Sequence, residues 1–353
     1  MNNESEARNK SDDVVPLVSI SCITFNHERY IAQAIDGFIM QKMTFPIEIL
    51  IHDDASTDNT ANIIRGYEAK YPEIIKPIYE AENQWIKGKR GSAVFNFPRA
   101  RGKYIALCEG DDYWTDPYKL QKQIDFLEAN PDYGMIHSDY SIFYQKESQM
   151  KKKHNCSLNR LIPTGFIFED LLKNNFIVTP TVCLKKDILK EHSNKDIDSF
   201  KMGDYPLWLE IAKWTKVGYI EDPLAVYRVS ECTASRPKEL QKRCEFEESA
   251  FNVRKYFIDK YECSYITQEI VDINYHKFKL KYAYLYNNRE IAREIYDYLT
   301  NKQKYERLHP DYFMYYFGTL NILTRIAAKF YFYFIEYKRR IIPVRLYRRK
   351  HYC

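Results

Sequence analysis

The chain predicts an α/β fold, a parallel-type sheet with helices on both faces, followed by a mostly helical segment. Three observations carry that prediction. Short apolar runs alternate with helix-like stretches through the first half of the sequence. Two of those runs end in acidic clusters, Asp53-Asp54 and Glu109-Gly110-Asp111-Asp112. Beyond Arg236 the chain is rich in Tyr and Lys and reads as helix, without an internal repeat.

The elements follow in order. Leu17 to Ile23 is the first strand, and the polar loop Thr24-Phe25-Asn26-His27-Glu28 leads into a helix from Arg29 to Met40. Ile47 to Ile51 forms a second strand, aliphatic enough to be covered on both faces. Ser56-Thr57-Asp58 caps a helix through Tyr71, and a strand from Ile74 to Tyr79 follows. A long loop, Glu80 to Gly91, precedes a helix ending near Ala100, and Tyr104 to Cys108 is the strand that carries the second acidic cluster. Thr115-Asp116-Pro117 opens a helix to Ala129, with Pro117 in its first turn. Met135 to Tyr144 and Phe176 to Leu184 are strand-like, separated by a polar, Lys-rich excursion from Gln145 to Asn159.

Acids at two strand ends predict one cleft, because ligands in open α/β sheets bind beyond the carboxyl ends of the strands. Around the second cluster the nearest cations in sequence are Lys103 and Lys119. Two carboxylates about 6 Å apart repel by roughly 3 kcal/mol at an effective dielectric of about 20, a cost that a bound divalent cation reverses. Oxygen ligands favour Mg2+ or Mn2+ over zinc. The competing reading makes these acids turn formers and helix caps, as Asp58 and Asp116 are expected to be. It is weaker for two clusters than for one Asp.

The 353 residues suffice for one large domain plus an appendage, or for two domains. Eight scattered cysteines show no paired metal-ligand spacing; Cys22, Cys108 and Cys183 fall in apolar runs where a thiol is a small hydrophobe, and the chain reads as reduced and cytosolic. The first fifteen residues are polar, carry no apolar signal core, and are expected to be disordered. From Arg325 to Lys350 nine Lys or Arg residues face Glu336 alone. Leu323, Ile326, Ala327, Phe330, Phe334 and Tyr337 recur at helical steps there, while Arg325 and Lys329 interrupt what would otherwise span a bilayer. The basic tail therefore reads as lying on an anionic membrane surface. A helix packed on the domain and a nucleic-acid patch are the alternatives, and no nucleic-acid partner is expected.

Several motifs in order carry a resemblance: Val18-Ser19-Ile20-Ser21-Cys22-Ile23-Thr24-Phe25-Asn26-His27-Glu28; Ile51-His52-Asp53-Asp54-Ala55-Ser56-Thr57-Asp58; Arg101-Gly102-Lys103-Tyr104 through Glu109-Gly110-Asp111-Asp112-Tyr113-Trp114; then Gly203-Asp204 and Tyr227-Arg228. Over Pro16 to Ser235 the chain resembles the inverting family 2 glycosyltransferases. The resemblance implies a GT-A domain, a nucleotide-diphospho-sugar transferase fold with a mixed, mostly parallel sheet, over 16–235. A helical extension over 236–318 and the tail over 319–353 complete the expected organisation, with 1–15 ahead of the domain.

By that resemblance Thr24 and Glu28 line the nucleotide pocket, Asp54 contacts the uracil of a UDP-sugar with Asp53 in support, and Asp111 meets ribose or sugar hydroxyls. A carboxylate can accept the imide N–H of uracil, which selects that base. Asp112 ligates Mn2+ or Mg2+ bridging the diphosphate, and Arg228 contacts the diphosphate. Asp204 is the implied base that takes the acceptor hydroxyl's proton; from its position alone, ahead of Tyr205-Pro206 and an apolar helix to Trp214, an N-cap is the simpler reading. Trp114 and Trp208 are balanced between stacking on an acceptor sugar and filling the core. Many relatives carry a histidine two residues after the Arg, where this chain has Ser230, so the metal shell beyond Asp112 stays open.

The expected partners are a UDP-sugar donor and a glycan or lipid-linked acceptor, at the cytoplasmic face of the plasma membrane, in cell-surface polysaccharide or lipopolysaccharide synthesis. A non-catalytic nucleotide-sugar-binding subunit is the first rival. The second, a sugar nucleotidyltransferase, needs a Gly-rich basic loop after the first strand, and Thr24 to Tyr30 contains no glycine.

Overall fold

A computed structural model describes residues 14–89, 91–191, 200–230 and 239–301, with Ile326, Ala327 and Phe330. The expected disordered N-terminus, apart from Val14 and Val15, and nearly all of the basic tail lie outside the described residues. The chain divides into two compact units: 1–156, 161–171 and 175–237 form the first, and 157–160, 172–174 and 238–353 form the second.

The first unit is built on a nine-stranded sheet. Its elements run β1 (Val18–Thr24), α1 (Ile31–Ile39), β2 (Ile47–Asp53), α2 (Thr60–Lys70), β3 (Ile75–Tyr79), α3 (Gly91–Phe95), β4 (Tyr104–Leu107), β5 (Tyr113–Trp114) and α4 (Lys119–Ala129). They continue as β6 (Tyr133–Tyr144), β7 (Gln149–Lys151), α5 (His154–Ser157), α6 (Phe168–Lys173), β8 (Cys183–Lys185), α7 (Lys186–Glu191), α8 (Asp204–Trp214) and β9 (Lys216–Val229). The strand order is β3-β2-β1-β4-β8-β6-β9-β5, with β7 paired to β6. Pairs β3/β2, β2/β1, β1/β4 and β6/β9 are parallel, and β4/β8, β8/β6, β9/β5 and β6/β7 are antiparallel.

The sheet is mixed because β8 enters backwards between β4 and β6. Two reversals in succession leave β6 running parallel to β1, β2 and β4. The carboxyl ends of all these strands therefore share one edge, and both acidic clusters and the end of β9 lie there.

Sequence explains the layering. Ile31, Ala34, Ile35 and Phe38 recur at three- and four-residue steps on α1, and all are fully buried against the sheet. Leu120, Ile124 and Leu127 do the same on α4. β3 tolerates Pro77 because it is an edge strand, where a missing N–H breaks no inner ladder. Cys22, Cys108 and Cys183 lie in the interior at 0–1 % exposure.

Three expectations shift. The helix ending near Ala100 is the short α3 followed by a 3-10 turn, Phe97–Arg99, because Pro98 cannot continue an α-helix. Phe176 to Leu184 is a 3-10 turn at Thr179–Thr181 leading into the short β8. The 14-residue β9 carries no continuous strand pattern in sequence: Glu221, Asp222 and Pro223 interrupt it, and its pairing with β6 shifts register beside them.

The second unit is helical: α9 (Leu240–Tyr261), α10 (Tyr265–Leu285) and α11 (Arg289–Asn301). Ser264 caps α10 by accepting from the Thr267 N–H at 3.3 Å. Asn287, at φ 57°, ends α10 in the left-handed conformation that Asn tolerates. Ile273, Leu280 and Ala283 of α10 pack with Ala292, Ile295 and Leu299 of α11.

Candidate active site

The loops after β1 and β2 are clasped together. The Asp54 N–H donates to the Thr24 carbonyl at 3.0 Å. Asn26, at φ 54°, donates its N–H to Ser56 Oγ at 2.9 Å and accepts the Thr57 N–H on Oδ1 at 2.8 Å. Glu28 donates its N–H to Asp58 at 3.1 Å, and its carboxylate accepts the Asn59 N–H at 3.0 Å. Exposed Glu28 thus buckles the β1 loop to the start of α2.

The first acidic cluster is engaged by the chain itself, Asp54 on both of its oxygens. Asp53, 2 % exposed, accepts from Ser56 Oγ, and burial pushes its carboxyl above the usual range despite that bond. Asp54, 6 % exposed, accepts the Gln84 N–H at 2.6 Å on one oxygen and the Trp85 N–H at 3.1 Å on the other. Its carboxylate therefore organises the loop after β3. No pattern in the sequence marked Gln84 and Trp85 as its partners.

The second cluster is built differently. The Cys108 and Gly110 N–H groups donate to the carbonyls of Ser21 and Ile23, at 3.1 and 2.9 Å, so the turn stays seated on β1. A Cβ on Gly110 would stand 2.6 Å from Thr24 Oγ1 and 2.9 Å from His27 Nδ1, so only glycine permits that approach. Thr24 Oγ1 lies 3.1 Å from His27 Nδ1.

One carboxylate oxygen from each of Glu109, Asp111 and Asp112 falls within 4.8 Å of the others. Asp112 is 2 % exposed; its Oδ1 accepts the Arg228 N–H at 2.7 Å, and its Oδ2 is buried with no partner. Burial first, and then the charges of Asp111 and Glu109, push Asp112 well above its ordinary range, while the Arg228 contacts partly offset them. Glu109 keeps access to solvent, yet protein crowds its carboxylate. Desolvation, then Asp111 and Asp204, raise it to about 8. An orphaned buried carboxylate oxygen beside two more carboxylates fits a hard divalent cation such as Mg2+ or Mn2+.

Arg228 holds this turn in place. Its Nε donates to the Asp111 carbonyl at 2.7 Å, and its two terminal nitrogens donate to Gln145 Oε1 at 2.7 Å and Gln33 Oε1 at 2.6 Å. The guanidinium stands 4.7 Å from the Tyr30 ring and 5.0 Å from the Tyr113 ring, and the residue is 4 % exposed. The Nε contact grips the turn's backbone, and the other two tie it to α1 and to the residue after β6. Gln33 and Gln145 went unnoticed because a lone Gln on a helix or in a polar excursion carries no periodic signal.

Asp204 opens α8 and accepts its neighbour Tyr205's N–H at 2.8 Å, with Thr179 Oγ1 3.5 Å from its other oxygen. Burial raises its carboxyl above the usual range, and its charge is felt at Glu109. Asp204 thus stands at the helix start and near enough to Glu109 for its charge to act there.

Of the two readings of Trp114 and Trp208, burial favours the core: they are 2 % and 0 % exposed. The Trp114 indole donates to the Pro180 carbonyl at 2.9 Å and packs edge-on to Phe38 at 4.8 Å. Neither ring presents a face to a sugar, because both complete the packing between sheet and helices.

The sequence model of glycosyl transferase family 2 matches residues 19–193. The chain is similar to an Escherichia coli protein named UDP-Glc:alpha-D-GlcNAc-diphosphoundecaprenol beta-1,3-glucosyltransferase WfaP, 31 % identical over 55 % of this chain and 70 % of that one. It is also similar to an uncharacterized Mycobacterium tuberculosis protein, 35 % identical over 60 % of this chain, and it spans 58 % of that relative's length. Among solved structures, the mannosyltransferase PcManGT from Pyrobaculum calidifontis, in complex with GDP-Man and Mn2+, superimposes with a TM-score of 0.51. That match has 16 % identity over 89 % of this chain and 86 % of that one, a likeness of fold alone. From β1 past β8, then, the chain belongs to glycosyl transferase family 2.

Proposed function

We propose that the protein transfers a sugar, with inversion, from a UDP-sugar to a hydroxyl of a glycan or lipid-linked acceptor in cell-surface polysaccharide synthesis. The observation that carries this reading is the Glu109-Asp111-Asp112 turn, whose orphaned Asp112 oxygen sits on the sheet edge that also holds Asp204. The donor class is supported by the UDP-Glc in the name of the Escherichia coli relative, and the acceptor class by its diphosphoundecaprenol.

Asp112, beside Asp111 and Glu109, would hold Mg2+ or Mn2+. Bound there, the ion would supply positive charge to offset the charge that builds on the departing diphosphate. Thr24 and Asp54 line the nucleoside end of the cleft, and Arg228 keeps Asp111 and Asp112 in register with β9. Asp204 takes the proton of the acceptor hydroxyl while that oxygen forms its bond to the anomeric carbon and the bond from that carbon to the diphosphate oxygen breaks. Its raised carboxyl makes it a stronger base than an ordinary aspartate. The tail is proposed to hold the enzyme at the cytoplasmic face of the plasma membrane; Ile326 and Phe330 on its apolar stripe are 48 % and 73 % exposed.

The test is nucleotide release from a panel of sugar nucleotides, with membrane lipid extract as acceptor source and Mn2+ or Mg2+ supplied or chelated. Metal-dependent release of UDP that is lost in Asp112→Ala and Asp204→Ala supports the reading. Binding of UDP-sugars without turnover under any of these conditions would overturn it in favour of a non-catalytic subunit.

A further inference from the structure

The sheet edge that carries the acidic cleft also carries two surface features that catalysis does not use. The hairpin joining β6 to β7 and the turn after it place Lys146, Lys152 and Lys153 on the surface, all exposed, with Glu147 the sole acid between Gln145 and Cys156. Among the described residues none of these three lysines pairs with a carboxylate. Lys122, Lys103 and Lys216, by contrast, each sit 2.5–2.8 Å from an Asp or Glu.

The hairpin is held firmly against the active site. Gln145, at its base, accepts from Arg228, which in turn grips Asp111. Asp139 on β6, fully buried, accepts the N–H groups of Asn155 at 2.9 Å and Cys156 at 3.2 Å, which fixes the corner that presents Lys152 and Lys153.

On the other flank, beyond β3, the loop bound to Asp54 exposes Trp85 at 47 % and Ile86 at 84 %. This tip is ordered rather than frayed. The Ile86 N–H donates to Asn83 Oδ1 at 3.0 Å, and the Lys89 N–H donates to the Gln84 carbonyl at 3.1 Å. A structured loop thus holds a half-exposed indole beside a largely exposed isoleucine, apolar surface that contact with a partner would bury. Five strand steps of about 4.8 Å separate β3 from β6, so the strands that lead to the two features stand about 24 Å apart across the sheet, on either side of β1 and β4.

We infer that this edge of the transferase unit docks on an anionic lipid bilayer, with Lys146, Lys152 and Lys153 at the headgroup phosphates and Trp85-Ile86 entering the interface. Unpaired cations on one flank suit anionic headgroups, and an indole beside an aliphatic side chain suits the interfacial layer. Docked this way, the cleft opens toward the bilayer, within reach of an acceptor anchored there. These residues lie outside the C-terminal tail in sequence, and their contact with lipid depends on neither the donor nor the chemistry of transfer.

The test is co-sedimentation of the full chain with vesicles of phosphatidylglycerol and phosphatidylcholine, compared with phosphatidylcholine alone. The triple variant Lys146→Glu, Lys152→Glu, Lys153→Glu is set against a control triple on α9, Lys242→Glu, Lys255→Glu, Lys260→Glu, with equal change in net charge. The hairpin variant is expected to bind anionic vesicles at least tenfold more weakly, with a native melting transition, while the control loses less than threefold. Trp85→Ser with Ile86→Ser should weaken binding severalfold, by a factor that persists as salt is raised, since insertion of apolar groups is not screened. All variants share the tail, so the tail cannot produce these differences. Unchanged binding by the hairpin variant, or equal loss in the control, would overturn the inference, whatever the outcome of the turnover assays.

Discussion

The two acidic clusters look alike in sequence and differ in chemical state. Asp53 and Asp54 end β2 with their carboxylates engaged by Ser56, Gln84 and Trp85. Glu109, Asp111 and Asp112 follow β4 with like charges crowded within 4.8 Å and one Asp112 oxygen buried without a partner. The first cluster spends its acceptors on holding two loops; the second keeps them available. Burial of an acid says little by itself. What separates a structural carboxylate from a ligand is whether the chain already supplies its donors.

The largest expected effects come from removing a carboxylate of the second cluster or the Asp204 carboxylate near it. Asp112→Asn keeps an oxygen for the Arg228 N–H but removes the charge, and kcat is expected to fall about 100- to 1,000-fold, measured as UDP release. Asp204→Asn is expected to cost about 100- to 10,000-fold in the same assay. Because burial raises the Asp204 carboxyl, the wild-type acid limb of kcat/KM should lie above that of an ordinary aspartate.

Stability sharpens the contrast, because the two clusters should respond with opposite signs. Asp54→Asn leaves one of the Gln84 and Trp85 N–H groups without its acceptor and should destabilise by about 1–3 kcal/mol in denaturant titrations. Asp112→Asn should instead raise Tm, since it removes a buried, uncompensated charge.

The sign of its pH dependence follows from the raised carboxyls. A carboxyl raised in the fold binds its proton more tightly there than in the unfolded chain, so it stabilises at low pH. That contribution is lost as pH rises through the folded pKa. For Glu109, raised from 4.5 to about 8, the loss spans that window. The Asp112→Asn gain in Tm should likewise be small in acid and grow toward pH 8. The smallest expected effect is a rise of a few degrees in wild-type Tm on adding Mn2+, absent in Asp112→Asn and kept in Asp54→Asn.

Much of this was legible in the sequence. The apolar runs ending in acids marked β2 and β4 and placed their carboxylates on one edge, since period and aliphatic content fix a buried parallel strand. The chemical state of those acids was not legible. It depends on Gln84, Trp85, Gln145 and Arg228, whose separations from their partners run from about 30 to about 120 residues. The aromatic residues Trp114 and Trp208 were ambiguous for a related reason, because sequence shows an indole but not which side of the sheet receives it.

Calorimetric titration of UDP in the presence and absence of Mn2+, on wild type and Asp112→Asn, tests the central claim most directly. Mn2+ is expected to tighten UDP binding to the wild type at least tenfold and to leave the variant unaffected. An equal gain from Mn2+ in both proteins would show that the Glu109-Asp112 turn is not where metal and diphosphate meet.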